Sequence, residues 1–174
     1  IAHLLLTRSA LHAWFAHPAL NPAYRREEDA RLDYGSAAHD VLLEGGEKLA
    51  VLDFPDWRKK EAKAERDAAR AAGKIPVLTH QAATIRAMAE AARAYLAAGE
   101  LAGVMEGAHI EHAMFWTDGE IACKGRPDLI TADRKLILDY KTTACAEPDA
   151  FLRAALANGY DVQGAFYQRG NAAT

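Results

Sequence analysis

Gly125-Arg126-Pro127-Asp128-Leu129-Ile130 and Leu136-Ile137-Leu138-Asp139-Tyr140-Lys141 are two short apolar runs separated by a polar break. This pattern predicts two adjacent strands joined by a hairpin turn. Because side chains alternate across a strand, Asp139 and Lys141 should share one face with Ile137, and that mixed face should be half-buried. The neighbouring strand would bring a second carboxylate, Asp128, beside them.

Two carboxylates and an ammonium on adjoining strands can hold a divalent cation next to a proton-transfer group, which suits phosphodiester hydrolysis. The alternative for Asp139 and Lys141 is an exposed, weakly stabilising ion pair. For Asp128 the alternative is a carboxylate that accepts backbone hydrogen bonds near a turn. A charged pair on a half-buried face is costly unless it has a role, and this favours the metal-site interpretation.

Helix signals lie on both sides of these strands. Ser9 can cap a short helix that ends before Pro18. Residues 109–123 instead alternate between apolar and polar side chains, and Asp118-Gly119 within them is a strong hairpin turn. Residues 21–33 are charged and turn-rich, which predicts a surface loop. Helices are predicted at residues 9–15, 35–44, 56–73, from 79, 148–157 and from 161.

Composition narrows the classes of protein. A length of 174 residues fits one domain. The first residue is not Met, which predicts a fragment of a longer chain, and we also expect the domain to be incomplete at its C-terminal side. No apolar run is long enough to span a membrane, so no membrane partner is expected. Two cysteines predict a reducing cytoplasm and are too few for a four-cysteine iron–sulfur cluster. The net charge of −3 is unusual for a DNA binder, but phosphate contacts need only a local basic patch.

Four sequence elements, in order, resemble a known nuclease signature. Pro127-Asp128 followed by Asp139-Tyr140-Lys141 resembles the PD-(D/E)XK motif, with Asp as the second acid. Gly35-Ser36-Ala37-Ala38-His39 resembles the G-x-x-x-H element of the RecB-like branch, and Gln163-Gly164-Ala165-Phe166-Tyr167 resembles its Q-x-x-x-Y element. Within that branch the chain is most similar to RecE-type exonucleases (the exonuclease VIII C-terminal nuclease domain). The resemblance implies the restriction-endonuclease-like α/β fold, a central mixed sheet with an antiparallel meander, flanked by helices.

The resemblance also implies roles in catalysis. His39, Asp128, Asp139 and the backbone carbonyl of Tyr140 would bind Mg²⁺, with Mn²⁺ as a substitute, and Lys141 would orient the attacking water. Glu111 would assist the metal site or position the lysine. The alternatives are a core histidine for His39 and a solvent-facing strand residue for Glu111.

Further residues would contact the substrate. Gln163 and Tyr167 share a helix face that borders the active site in the family, although Tyr167 could instead pack between helix and sheet. Thr7, Arg8 and Ser9 look like the segment that meets a terminal 5′-phosphate in related exonucleases.

The implied function is a Mg²⁺-dependent, two-metal-ion 5′→3′ exonuclease that digests double-stranded DNA from its ends and leaves 3′ single strands for recombination. The implied partners are a RecT-like annealing protein and further copies of the chain in a ring, such as a tetramer. The expected location is the cytoplasm of a bacterial cell, with a chromosomal or phage origin. Two alternatives stay open: another RecB-like nuclease, either helicase-linked or structure-specific, and a catalytically decayed DNA-binding domain.

Overall fold

The computed structural model describes residues 2–25 and 30–174, and side chains for residues 4–25 and 33–174. The helices are α1 (Ala2–Thr7), α2 (Ala10–Phe15), α3 (Ala30–Leu43), α4 (Lys60–Ala71), α5 (Thr79–Leu96), α6 (Pro148–Asn158) and α7 (Tyr160–Ala173). The strands are β1 (Leu49–Leu52), β2 (Ile75–Leu78), β3 (His109–Ile110), β4 (Met114–Asp118), β5 (Ile121–Gly125), β6 (Leu129–Ile130) and β7 (Ile137–Leu138). None of the helices in the described ranges has the length and hydrophobicity needed to cross a membrane.

The chain divides into two compact units. One comprises residues 1–28 and 143–174, with α1, α2, α6 and α7; the other comprises residues 29–142, with all the strands and α3 to α5. A single domain over residues 1–174 remains a prediction.

A parallel pair of short strands supports the main core of the second unit. β1 pairs with β2 from Leu49↔Ile75 to Leu52↔Leu78, and α4 makes the crossover between them. α3 and α5 pack together and cover this pair through buried small and branched residues, among them Ala38, Val77 and Ile85. The close approach of α3 follows from its alanines, because a helix face without bulky side chains can lie near its neighbours.

The segment after α5 forms two antiparallel arrangements. β4 and β5 form a hairpin around Asp118-Gly119, as the sequence predicts, with Phe115 opposite Lys124. β3, β6 and β7 form a separate sheet in the order β3-β6-β7, in which Leu129 pairs with Leu138. The described residues therefore form three small sheets where the sequence predicts one central mixed sheet.

Most local helix signals are confirmed, with shifts that have physical causes. Ser9 caps α2, and Gly159 ends α6 in the left-handed conformation at φ 69°. α4 begins at Lys60 and not at Asp56, because the Asp56 carboxylate accepts hydrogen bonds from the Arg58 backbone and side chain and so closes a turn.

Two other boundaries are corrected, and two strands are new. α7 begins at Tyr160, so Asp161 lies in its first turn and is not its cap. The expected loop at residues 21–33 is wrong for residues 30–33, which are helical, while residues 26–29 lie outside the described residues. The strands β1 and β2 had no sequence prediction.

The second predicted strand is shorter than expected. β7 ends at Leu138, so Asp139, Tyr140 and Lys141 follow the strand. The cause is visible at Tyr140: its backbone N–H donates to the Asp128 carboxylate at 2.6 Å instead of continuing the strand ladder. Asp128 likewise lies one residue before β6.

Candidate active site

Helix α3 presents His39 to the β6–β7 sheet over a face of small residues. Ala37 and Ala38 are fully buried, and a Cβ added to Gly35 would lie 3.6 Å from Thr142 Oγ1. The His39 ring lies 5.3 Å from the Tyr140 ring, centroid to centroid. The small residues therefore let the helix backbone approach the segment that carries Asp139 to Thr142.

Asp128 is the centre of a hydrogen-bonded group. Its side chain is buried, with the residue 8% exposed. One oxygen, Oδ2, accepts the Tyr140 backbone N–H at 2.6 Å and lies 3.4 Å from His39 Nδ1. The hydrogen bond with Asp128 raises the pKa of the His39 imidazole; burial opposes this, and a hydrogen bond from the imidazole to the Tyr140 backbone adds to it. Together these effects favour protonation of the His39 imidazole relative to a free histidine.

Glu111 reaches the same place from β3 through an unusual backbone conformation. It follows Ile110 with φ 49°, in the left-handed region that residues other than glycine seldom adopt. Its N–H donates to the Asp128 carbonyl at 2.9 Å, which extends the pairing of β3 with β6 by one bond. Its carboxylate lies 3.0 Å from Arg126 Nε. Glu111 is thus only half-exposed and turned towards Asp128.

Asp139 and Lys141 form an ion pair on the segment after β7. Their side chains are 23% and 22% exposed, so both are half-buried as predicted, although they follow the strand and do not lie on its face. Burial raises the pKa of the Asp139 carboxyl, Lys141 opposes the rise, and the negative charge of Asp128 adds to it. Asp139 is therefore close enough to Asp128 for the two charges to interact.

Three of these side chains offer a set of ligand atoms for one metal ion. His39, Glu111 and Asp128 each present one such atom, and all three atoms lie within 4.8 Å of one another. Opposite ligands of an octahedral Mg²⁺ ion are about 4.2 Å apart, twice the usual metal–oxygen distance of ~2.1 Å. A small inward movement of these side chains would satisfy that geometry, and one imidazole with two carboxylates also suits Mn²⁺. The donor set therefore fits a divalent cation.

Residues 12–174 match the family described as PDDEXK-like domain of unknown function (DUF3799). The chain belongs to this family. Membership of this PDDEXK-like family indicates a nuclease-type function and a mixed α/β fold, and its relatives in the PD-(D/E)XK superfamily usually use divalent metals. Among curated proteins, none matches the chain significantly.

The remaining predicted site residues lie in the unit formed by residues 1–28 and 143–174. On α7, Gln163 Nε2 donates to the Tyr167 hydroxyl at 3.0 Å, so these two side chains are brought together. Ser9 accepts the His12 N–H and contacts His12 Nδ1 at 2.8 Å, which gives its hydroxyl a capping role. Arg8 is exposed and Thr7 ends α1. Their contacts with DNA remain predictions.

Sequence reasoning assigned no role to Arg126, which contacts a site residue, or to Asp40, which follows His39 on α3. Arg126 holds the Glu111 carboxylate, and its place between Gly125 and Pro127 in the motif was the available signal. Asp40, next to His39, is 3% exposed; its Oδ2 accepts the Lys48 N–H at 3.1 Å, while its buried Oδ1 has no hydrogen-bond partner among the described residues. A helical Asp with apolar neighbours gives no such signal in the sequence.

Proposed function

We propose that this domain hydrolyses DNA phosphodiester bonds with a divalent metal ion, Mg²⁺ by preference and Mn²⁺ as a substitute. The observation that carries the proposal is the convergence of His39, Glu111 and Asp128 within 4.8 Å, beside the Asp139–Lys141 ion pair. In a stable fold without a ligand, three carboxylates gathered around one imidazole would be unfavourable because like charges repel.

The protein groups have distinct tasks in this proposal. His39, Glu111 and Asp128 would hold the cation, and Asp139 and the Tyr140 carbonyl would be further metal ligands. A bound cation would supply Lewis-acid polarisation of the scissile phosphate. The Lys141 ammonium, fixed by Asp139, would orient the attacking water and stabilise the charge that builds on the phosphate oxygens.

The finer proposal concerns the reaction course. The resemblance to RecE-type exonucleases of the RecB-like branch supports 5′→3′ digestion of double-stranded DNA from its ends, which leaves 3′ single-stranded tails for recombination. Thr7, Arg8 and Ser9 would meet the 5′-phosphate, and Gln163 with Tyr167 would contact the DNA backbone. A ring of identical chains, such as a tetramer, would carry out this digestion, and a RecT-like annealing protein would act on the resulting tails. We also propose that the small sheets form part of one central sheet.

The test uses linear duplex DNA labelled at either its 5′ or its 3′ ends, and a covalently closed circle, each with Mg²⁺, Mn²⁺ or EDTA. The proposal expects metal-dependent release of mononucleotides from the 5′ label and an intact circle. Asp128→Asn should abolish release, whereas Glu120→Gln, which removes the same charge at the exposed tip of the β4–β5 hairpin, should not. Cleavage of the circle would point to an endonuclease, and full activity of Asp128→Asn would refute the site.

A further inference from the structure

The β4–β5 hairpin has one buried face and one exposed face. Met114 and Trp116 are buried, at 1% and 9% exposure, while Phe115 between them is 65% exposed. The difference follows from the alternation of side chains along a strand. The buried face packs against the rest of the protein, and Phe115 projects into solvent from the opposite face.

A lysine lies directly opposite this phenylalanine. Phe115 and Lys124 are register partners, and the Lys124 ammonium lies over the ring, 5.3 Å from its centroid. This distance is within the range of a cation–π contact. Among the ion pairs of the described residues, none includes Lys124, so its positive charge is not neutralised by a carboxylate. A single exposed apolar side chain is common on protein surfaces. An exposed aromatic ring beside an ammonium that has no carboxylate partner in the described part of the chain is a more specific feature.

The hairpin leads directly into the candidate active site. Lys124 is four residues before Asp128, so their Cα atoms are at most about 14 Å apart. Arg126, whose side chain is 62% exposed, lies between them. Nucleotides follow one another at about 3.4 Å along a duplex strand, which places the pair within about four nucleotides of a phosphate at Asp128.

We propose that Phe115 and Lys124 bind an unpaired nucleotide of the DNA substrate close to the scissile phosphate, with the base stacked on Phe115 and the adjoining phosphate held by Lys124. Proteins that bind single strands combine these two elements, an aromatic platform and nearby cations. Because the chain carries a net charge of −3, favourable phosphate contacts must come from local cations of this kind. The inference rests on the proposed function, since it names how that site would position its strand.

The test measures binding and cleavage separately. Binding to a duplex with a four-nucleotide unpaired tail at one end, of either polarity, is followed by fluorescence anisotropy in EDTA, where no metal-dependent cleavage occurs. Stacking of one base corresponds to about a 5- to 150-fold change in affinity. Phe115→Leu should weaken binding by that factor and raise KM in Mg²⁺ with kcat unchanged, and Phe115→Tyr should restore both.

Two further variants separate stacking from charge and from general surface effects. Lys124→Ala should lower the slope of log affinity against log salt by about 0.7 to 0.9, whereas Phe115→Leu should leave that slope unchanged. Ile121→Ala removes a side chain of similar exposure, 68%, from the same hairpin and should bind as the wild type. Circular dichroism spectra should be the same for every variant, because Phe115, Lys124 and Ile121 are all exposed.

The outcomes for the inference and for the proposed function are distinct. If Phe115→Leu binds DNA with wild-type affinity, the inference is overturned. Metal-dependent cleavage of DNA would in that case still support the proposed function. Binding that depends on Phe115, without cleavage in any divalent metal, would support the inference and refute the nuclease. Absence of DNA binding by the wild type would overturn the inference directly. A 5-iodouracil in the tail should also photo-crosslink to Phe115, and crosslinking only elsewhere would contradict the assignment.

Discussion

Replacing Asp128 should separate the structural role of this carboxylate from its proposed role as a metal ligand. Its Oδ2 accepts the Tyr140 N–H at 2.6 Å from a position that is 8% exposed. Asp128→Ala leaves that amide without an acceptor, whereas Asp128→Asn keeps an oxygen and removes only the charge. Both variants therefore lose the proposed metal ligand, but only Asp128→Ala also loses the hydrogen bond with the Tyr140 N–H.

The expected magnitudes follow from this difference. A buried amide that loses its acceptor costs about 1–3 kcal/mol. For a chain of this length 1 kcal/mol corresponds to about 2–4 °C in Tm, so Asp128→Ala should melt roughly 2–12 °C lower in EDTA. Asp128→Asn should lose less, because the lost attraction to His39 is partly offset by relief of the repulsion between Asp128 and Asp139, which adds to the effect of burial in raising the pKa of Asp139.

The assay is thermal unfolding followed with and without metal. Mg²⁺ at one hundred times its Kd should stabilise the wild type by about 2.7 kcal/mol, because it binds the folded state alone. That corresponds to a Tm rise of roughly 5–11 °C. Both Asp128 variants should lose most of this rise, and Glu120→Gln should keep it. If Asp128→Asn shows the same Mg²⁺-dependent rise as the wild type, the carboxylate is not a ligand and the reasoning is refuted.

Three further predictions concern the surroundings of the site. Burial raises the pKa of Asp40, so its charged form weakens the fold above its ordinary pKa of about 3.9; Asp40→Asn should therefore raise Tm more at neutral pH than at pH ~4, in parallel melts. Gly35→Ala should add up to about 1 kcal/mol to the free energy of unfolding and keep DNA cleavage, while Gly35→Leu, which must displace Thr142, should reduce both. The raised pKa of His39 means that its stabilising contribution is complete below about pH 6.5 and is lost as pH rises through its folded pKa. Urea titrations of metal-free protein should show this loss, and His39→Gln should not.

The elements that the sequence predicts well are those specified by a few adjacent residues. Ser9 caps α2, Asp118-Gly119 turns the β4–β5 hairpin, and Pro148 begins α6. Each depends on a backbone preference or a capping hydrogen bond that acts within one turn. The pairing of Leu129 with Leu138 belongs to the same class, because the polar residues between them are a local hairpin signal.

The strands β1 and β2 could not be predicted in this way. Each is an apolar run of four residues without alternation, which is also compatible with the end of a helix. Their pairing is parallel and joins Leu49 to Ile75 across α4, so it is decided by packing between distant segments. The end of β7 was missed for a related reason: a side chain, Asp128, takes the Tyr140 amide that a neighbouring strand would otherwise have bonded.

In the candidate site, the sequence motifs identified the residues that lie close together, whereas the geometry of their side chains depends on the fold. Glu111 is in the left-handed region, which costs about 1–3 kcal/mol for a residue other than glycine. Arg134, the other such residue in the described part of the chain, lies in the β6–β7 turn, where this conformation closes the hairpin. Glu111 has no turn of that kind to close. Its conformation instead brings a carboxylate to His39 and Asp128, where the repulsion between acids adds to the cost.

The backbone strain at Glu111 and the repulsion between the acids both destabilise the fold, so other interactions must offset them. Below the raised pKa of His39, part of the offset is the proton on its imidazole, and that pKa is raised mainly by the hydrogen bond with Asp128. The Arg126 guanidinium beside Glu111 supplies another part. A divalent cation would neutralise the same charges more completely and would displace that proton, because a metal-bound imidazole is neutral. Metal affinity should therefore increase with pH through the His39 transition, and an affinity for Mg²⁺ that is independent of pH would show that His39 is not a metal ligand.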